Sequence, residues 1–104
     1  MLNQTVIVGR ITKDIEIKEL ENGKKVINLT IAVPRSYKNE EGIYDTDFIP
    51  CTLWNAIATN VSEYCKKGDL VGIKGRLENK EDGLVLIAEK VTFLSSGKKD
   101  NKEE

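Results

Sequence analysis

Hydrophobic and polar positions alternate over most of this chain, the period-two pattern of half-buried β-strands. "TVIVGRI" (5–11) is rich in β-branched residues, and its glycine marks a bend or bulge where the strand curls. "IEIKEL" (15–20) alternates with Ile15 and Ile17 on one side and reads as a continuation of that strand. Asn22-Gly23 then predicts a type I′ hairpin, in which both central residues take positive φ. "VINLTIAV" (26–33) returns with Ile27, Leu29, Ile31 and Val33 as the buried set. From 34 to 47 the alternation is lost among polar residues with Pro and Gly, so this segment reads as a long loop, a class that often carries function. "FIPCTLW" (48–54) is the third strand, with Pro50 predicting an edge or bulge.

The period changes at "NAIATNVSEYCKKG" (55–68). Ile57, Val61, Tyr64 and Cys65 form a helical stripe assigned to the core, with Asn55 as N-cap, Lys66 and Lys67 in the last turn and Gly68 as C-cap. "DLVGIKGRL" (69–77) and "LVLIAEKVTFL" (84–94) are the last two strands, joined by the polar "ENKEDG"; Phe93, in phase with Val91, is assigned to the core. Three strands, a helix and two strands, with edges that must be closed, predict an all-β domain with one helix. The expected fold is the OB-fold, a five-stranded Greek-key β-barrel with its helix between strands 3 and 4. An SH3-like barrel or a small β-sandwich is the alternative.

The third strand carries an anomaly. With Ile49, Cys51 and Leu53 inward, Phe48 and Trp54 stand on the outer face with Thr52, about 20 Å apart along the strand. On an OB-fold the outer face of strands two and three is the working surface. Exposed rings there, with Tyr37 and Tyr44 in the preceding segment, could each stack a nucleobase, worth ~1–3 kcal/mol per base. Covering by the helix, the long loop or another subunit is the competing explanation.

Composition narrows the picture. The 104 residues make one domain, 39% hydrophobic and 32% charged, without an apolar run or leader that would direct it to or across a membrane. A cytoplasmic protein is expected, with Cys51 and Cys65 reduced. There is no histidine, no four-ligand metal spacing and no nucleophile motif, so neither a metal, a cofactor nor an enzyme is expected. Net charge is −1, so nucleic-acid binding must rest on local arrangement. "KKGDLVGIKGR" holds Lys66, Lys67, Lys74 and Arg76 against Asp69, and Arg10, Lys24, Lys25, Arg35 and Lys38 lie in segments able to border a groove. Glu40, Glu41, Asp45 and Asp47 oppose them. The domain is assigned to 1–96, and 97–104, which balance three positive against three negative charges with no apolar residue, to a disordered tail.

The chain resembles the bacterial single-stranded-DNA-binding proteins from residue 1 to about 95. "MLNQTVIVGRITKDIEI", "ENGKKVINLTIAV", "DFIPCTLWNAIATNVSEYCKKGDLVGIKGRL" and "VTFL" carry the likeness. The resemblance implies an OB-fold that wraps single-stranded DNA in replication, recombination and repair, as a nucleoid-associated homotetramer with first strands paired across a dimer interface. It places stacking aromatics at Tyr37, Phe48 and Trp54, a basic position at Lys67, and loop cations at Arg35 and Lys38.

Departures from the family pattern temper this. "ENKEDG" replaces a long hairpin bearing another aromatic and further cations, and Pro50 and Ala56 stand where relatives carry basic residues. The acidic tip through which relatives recruit protein partners has no counterpart, so that route of recruitment is not expected. A sequence-tolerant single-stranded-DNA binder, of the kind carried by mobile elements, is the leading reading. An OB-fold module using its aromatic face for protein contact, as in a primosome, is the alternative, and an RNA chaperone is the third.

Overall fold

A computed structural model describes residues 1–97; the tail assigned to disorder falls, from residue 98 on, outside them. Six strands and one helix follow in the order β1 (Thr5–Ile11), β2 (Lys18–Glu19), β3 (Lys25–Lys38), β4 (Tyr44–Trp54), α1 (Asn55–Tyr64), β5 (Leu70–Lys80) and β6 (Gly83–Ser95). The sheet runs β1-β5-β6-β4-β3-β2, and a second pairing of β1 with β3 closes five of the strands into a barrel. All pairings are antiparallel except β4 with β6, where Cys51 lies beside Leu86 and Thr52 beside Ile87. This is the expected OB-fold; with β2 counted separately, the helix lies between β4 and β5.

Closure depends on β1 serving two neighbours. It pairs with β5 from Thr5 to Arg10 and with β3 at Arg10 and Ile11. Gly9 sits at the changeover, where a Cβ would overlap the Ala32 carbonyl oxygen, so the curl anticipated there is a close backbone approach. Ile11, Ile27, Ile31, Leu53, Ile73 and Leu86 fill the interior. Ile27, Leu29 and Ile31 are buried as expected, with Val33 partly buried at the end of the set.

The structure corrects several local expectations. "IEIKEL" does not continue the first strand: only Lys18 and Glu19 pair, with β3, and Ile15 packs on the core while Ile17 is exposed. At the first hairpin Gly23 has φ +85° but Asn22 does not adopt positive φ. The Gly23 amide donates to the Leu20 carbonyl and Leu20 donates to Lys24, so the loop is the three residues 21–23, a type I turn followed by a left-handed glycine. The same closure recurs at 40–42, where Gly42 donates to Asn39, Asn39 to Ile43, and Gly42 has φ +81°. The expected long loop over 34–47 is therefore mostly a two-stranded arm, interrupted by a bulge between Pro34 and Lys38. Pro50 pairs with Thr30 on one side, while the β6 pairing on the other begins only at Cys51.

The helix is shorter than its stripe suggested, with no basic residue in its last turn. Trp54, extended at φ −115° and ψ 143°, is the N-cap, without a capping side chain. Asn55 instead has φ +53° and accepts a hydrogen bond from the Lys25 amide at 3.1 Å, tying the helix start to β3. Ala58 and Val61 are buried, Ile57 and Cys65 pack beside them, and α1 lies against β3, β4 and β6. Tyr64 is not core: on the flank of that stripe, in the final turn, it is 73% exposed. Phe93 is half-exposed as well, because β6 bulges next to it and then ends. Gly68 lies beyond the helix in a turn knotted by Asp69.

Asp69 is a buried carboxylate rather than a surface charge opposing the nearby lysines. It accepts from the Lys66 amide at 2.9 Å and the Gly97 amide at 3.0 Å, joining the turn before β5 to the end of the last strand. Hydrogen bonds to a charged acceptor are the stronger kind, and their loss leaves buried donors unpaired. Asp69→Ala should therefore destabilise the fold by about 2–4 kcal/mol in urea unfolding.

Both cysteines are free thiols. Burial pushes the Cys51 thiol up to about 12, and burial, then the charge of Asp69, raises that of Cys65. A thiol reagent at pH 8 should modify native Cys51 far more slowly than Cys65, with the difference abolished in denaturant.

Candidate nucleic-acid interface

The outer face of β3 and β4 follows from their register. Cross-strand neighbours share a side of the sheet, and here Trp54 lies opposite Val26, Thr52 opposite Asn28, Pro50 opposite Thr30, and Phe48 opposite Ala32. The cross-strand partners, Ala32 and Val26, are both smaller than the rings they face. Phe48 is 63% exposed and Trp54 36%. Between the rings lie short side chains, with the Thr52 hydroxyl donating to the Asn28 side-chain oxygen at 3.1 Å. A cleft of about 420 Å³ opens on this surface, lined by Val26, Asn28, Thr52 and Trp54 on one side and by Lys80 and Leu84 of the β5–β6 hairpin on the other. The sequence places Thr52 on this face but does not single out Asn28, Lys80 or Leu84; the outward phase of the alternation could have found Asn28.

The arm extends this surface past the barrel. Tyr44 pairs with Lys38 at its far end, and the Lys38 ammonium stands 5.7 Å from the Tyr44 ring centre. Tyr37, inside the bulge, is 62% exposed. Its missed signal was Asn39 followed three residues later by Gly42: the Asn39 side-chain oxygen accepts from the Glu41 and Ile43 amides at 2.8 and 3.0 Å and closes the hairpin.

The structure separates the nominated cations into three groups. Arg10 pairs with Ala32, directly across β3 from Phe48, and its guanidinium donates to the Gly68 carbonyl at 3.0 Å, beside exposed Lys67. Arg10 and Lys67 are thus brought together at one border of the aromatic face. Lys74 stands with Val6 and Lys90 on the β1–β5–β6 side of the barrel, away from the rings. Arg35 and Arg76 are already paired. Arg35 donates through Nε and Nη2 to Asp47 at 3.1 and 2.9 Å, with Asp45 at 3.8 Å. Arg76 bonds Glu78 at 2.7 Å and Glu89 at 3.5 Å, and Lys80 bonds Glu78 at 3.1 Å. The hydrogen bond and charge of Arg35 hold the Asp47 carboxyl below the usual carboxylate range, and those of Lys80 and Arg76 do the same for Glu78. Both pairs therefore persist at neutral pH and are lost only as pH falls through those lowered values.

Among the described residues no cluster of three or more His, Cys, Asp or Glu could hold a metal ion, and no helix is long and apolar enough to cross a membrane.

The pattern of the Single-strand binding protein family matches residues 2–83. The chain is 43% identical to single-stranded DNA-binding protein B of Bacillus subtilis (strain 168) over 94 residues, covering 86% of this chain and 83% of that protein. It is 43% identical to the single-stranded DNA-binding protein of Halalkalibacterium halodurans over 103 residues, 90% of this chain and 61% of that one. Single-stranded DNA-binding protein A of Bacillus subtilis is also 43% identical over 103 residues, 90% of this chain and 60% of that protein. The chain thus spans about three-fifths of the length of the latter two relatives.

Proposed function

The chain belongs to the single-strand binding protein family, and from that membership and its exposed rings we propose that it binds single-stranded DNA with little regard to sequence. It is a binder and not an enzyme. The observation that carries the reading is the pair of open rings, Phe48 and Trp54, on the outer face of β4 opposite smaller side chains. Each ring offers a face to one unpaired base, and every base has a π-face, so the contact tolerates any sequence. Tyr37 and Tyr44 continue the path along the arm. Arg10, Lys67 and Lys38 supply phosphate contacts beside the rings, Lys74 and Arg76 would meet only a strand that continues onto the barrel's flank, and Arg35 is withheld by its pairing with Asp47. Such a protein acts in replication, recombination and repair, in the cytoplasm with the nucleoid.

Titrating oligo-dT at low salt should quench the emission of Trp54, the only tryptophan. Phe48→Ala and Trp54→Ala should each weaken binding by ~1–3 kcal/mol, the second read by anisotropy of labelled DNA. Affinity should fall as salt rises, because phosphate neutralisation releases counterions. Absence of quenching, with affinity unchanged in both variants, would turn the face into a protein-binding one.

We also propose self-association through β1, with the homotetramer as its end state. Among the described residues β1 has no partner on its β3-facing edge from Thr5 to Gly9, and Val6 and Val8 beside that edge are 64% and 47% exposed. An open edge with apolar flanks is a template for pairing with a second copy. Light scattering should give a mass above the monomer, and Val6→Asp with Val8→Asp should reduce it toward 11.7 kDa without unfolding the barrel.

A further inference from the structure

We propose that Asp47 sets the strength of this interface by holding Arg35 in the place a DNA phosphate would take. The inference rests on the single-stranded-DNA reading above and names the residue that limits it.

The geometry is that of an internal substitute. A guanidinium presents parallel N–H donors that match the paired oxygens of a carboxylate or a phosphate equally well. Here Nε and Nη2 of Arg35 are both committed to the two oxygens of Asp47, at 3.1 and 2.9 Å. Asp45 approaches the remaining nitrogen at 3.8 Å, so one positive charge faces two negative ones. Both members of the Arg35–Asp47 pair are well exposed, with side-chain accessibilities of 40% and 43%, so the pair can exchange with a competing anion. Arg35 also stands two residues from the exposed Tyr37 in the bulged stretch of the arm, which makes it a cation accompanying that ring.

Asp47, not Asp45, is the residue singled out. Asp45 is further from the guanidinium and is engaged by the Asn39 side chain at 3.2 Å, at the hairpin closure. Of the chain's three arginines, Arg35 and Arg76 are both held by carboxylates, while Arg10 donates to a main-chain carbonyl. A strand of DNA reaching the arm must therefore displace Asp47 before Arg35 can contribute.

The test is a double-mutant cycle on binding to labelled oligo-dT at low salt, with Glu40→Gln at the arm's tip as a control for loss of one negative charge elsewhere. Asp47→Asn should tighten binding by about fivefold or more and steepen the dependence of log affinity on log salt by about one phosphate contact. Arg35→Ala alone should change affinity by less than about twofold, and in the Asp47→Asn background it should cancel the gain. Retained thermal unfolding midpoints show that the arm and barrel remain folded. A gain no larger than that of Glu40→Gln, or one that survives Arg35→Ala, overturns the role of Asp47 and leaves base stacking standing. A parent protein that neither binds oligo-dT nor shows Trp54 quenching overturns the reading beneath it.

Discussion

Closing a short antiparallel sheet on itself governs the rest of this molecule. Once β1 bridges from β5 to β3 there is a single interior, and each of the five barrel strands must send alternate side chains into it. On β4 that interior takes Cys51 and Leu53 fully and Ile49 in part. Phe48 and Trp54 are then outward by geometry, and β3 places the smaller Ala32 and Val26 across from them. The large rings cost the fold exposed apolar surface, which their sites recover only against a ligand or a neighbour.

The parts of this arrangement visible in the sequence are those the interior dictates. The β-branched run before Gly9, the buried phase of Ile27, Leu29 and Ile31, and the outward pair on β4 all follow from a two-residue period with one dry side. The arm was hidden for the converse reason. Beyond Pro34 both faces of the ribbon are wet, so no hydrophobic phase marks it as strand. Its identity lies in main-chain pairing and in a turn closed by the Asn39 side chain. The helix end is masked similarly: Lys66 to Gly68 look like a capped last turn, but Asp69 folds inward and claims the Lys66 amide for a separate turn.

Charge is the property least deducible from composition. Counting cations suggests many phosphate contacts, yet carboxylates on the same or the adjoining strand occupy Arg35 and Arg76, and strand alternation sends Lys74 to another side of the barrel. What remains beside the rings is a small group around Arg10 and Lys67. A surface of net charge −1 can therefore present one local electropositive border, because where the charges sit matters more than their sum.

Trp54 is the last residue of β4 and the residue that caps α1, followed at once by Asn55 in a left-handed conformation pinned to the Lys25 amide. Beyond its own two side-chain torsions the indole has no hinge. Any larger displacement of the ring must carry the strand–helix corner with it, so a load applied at that platform is borne by the barrel and its plug together instead of by a loose surface group.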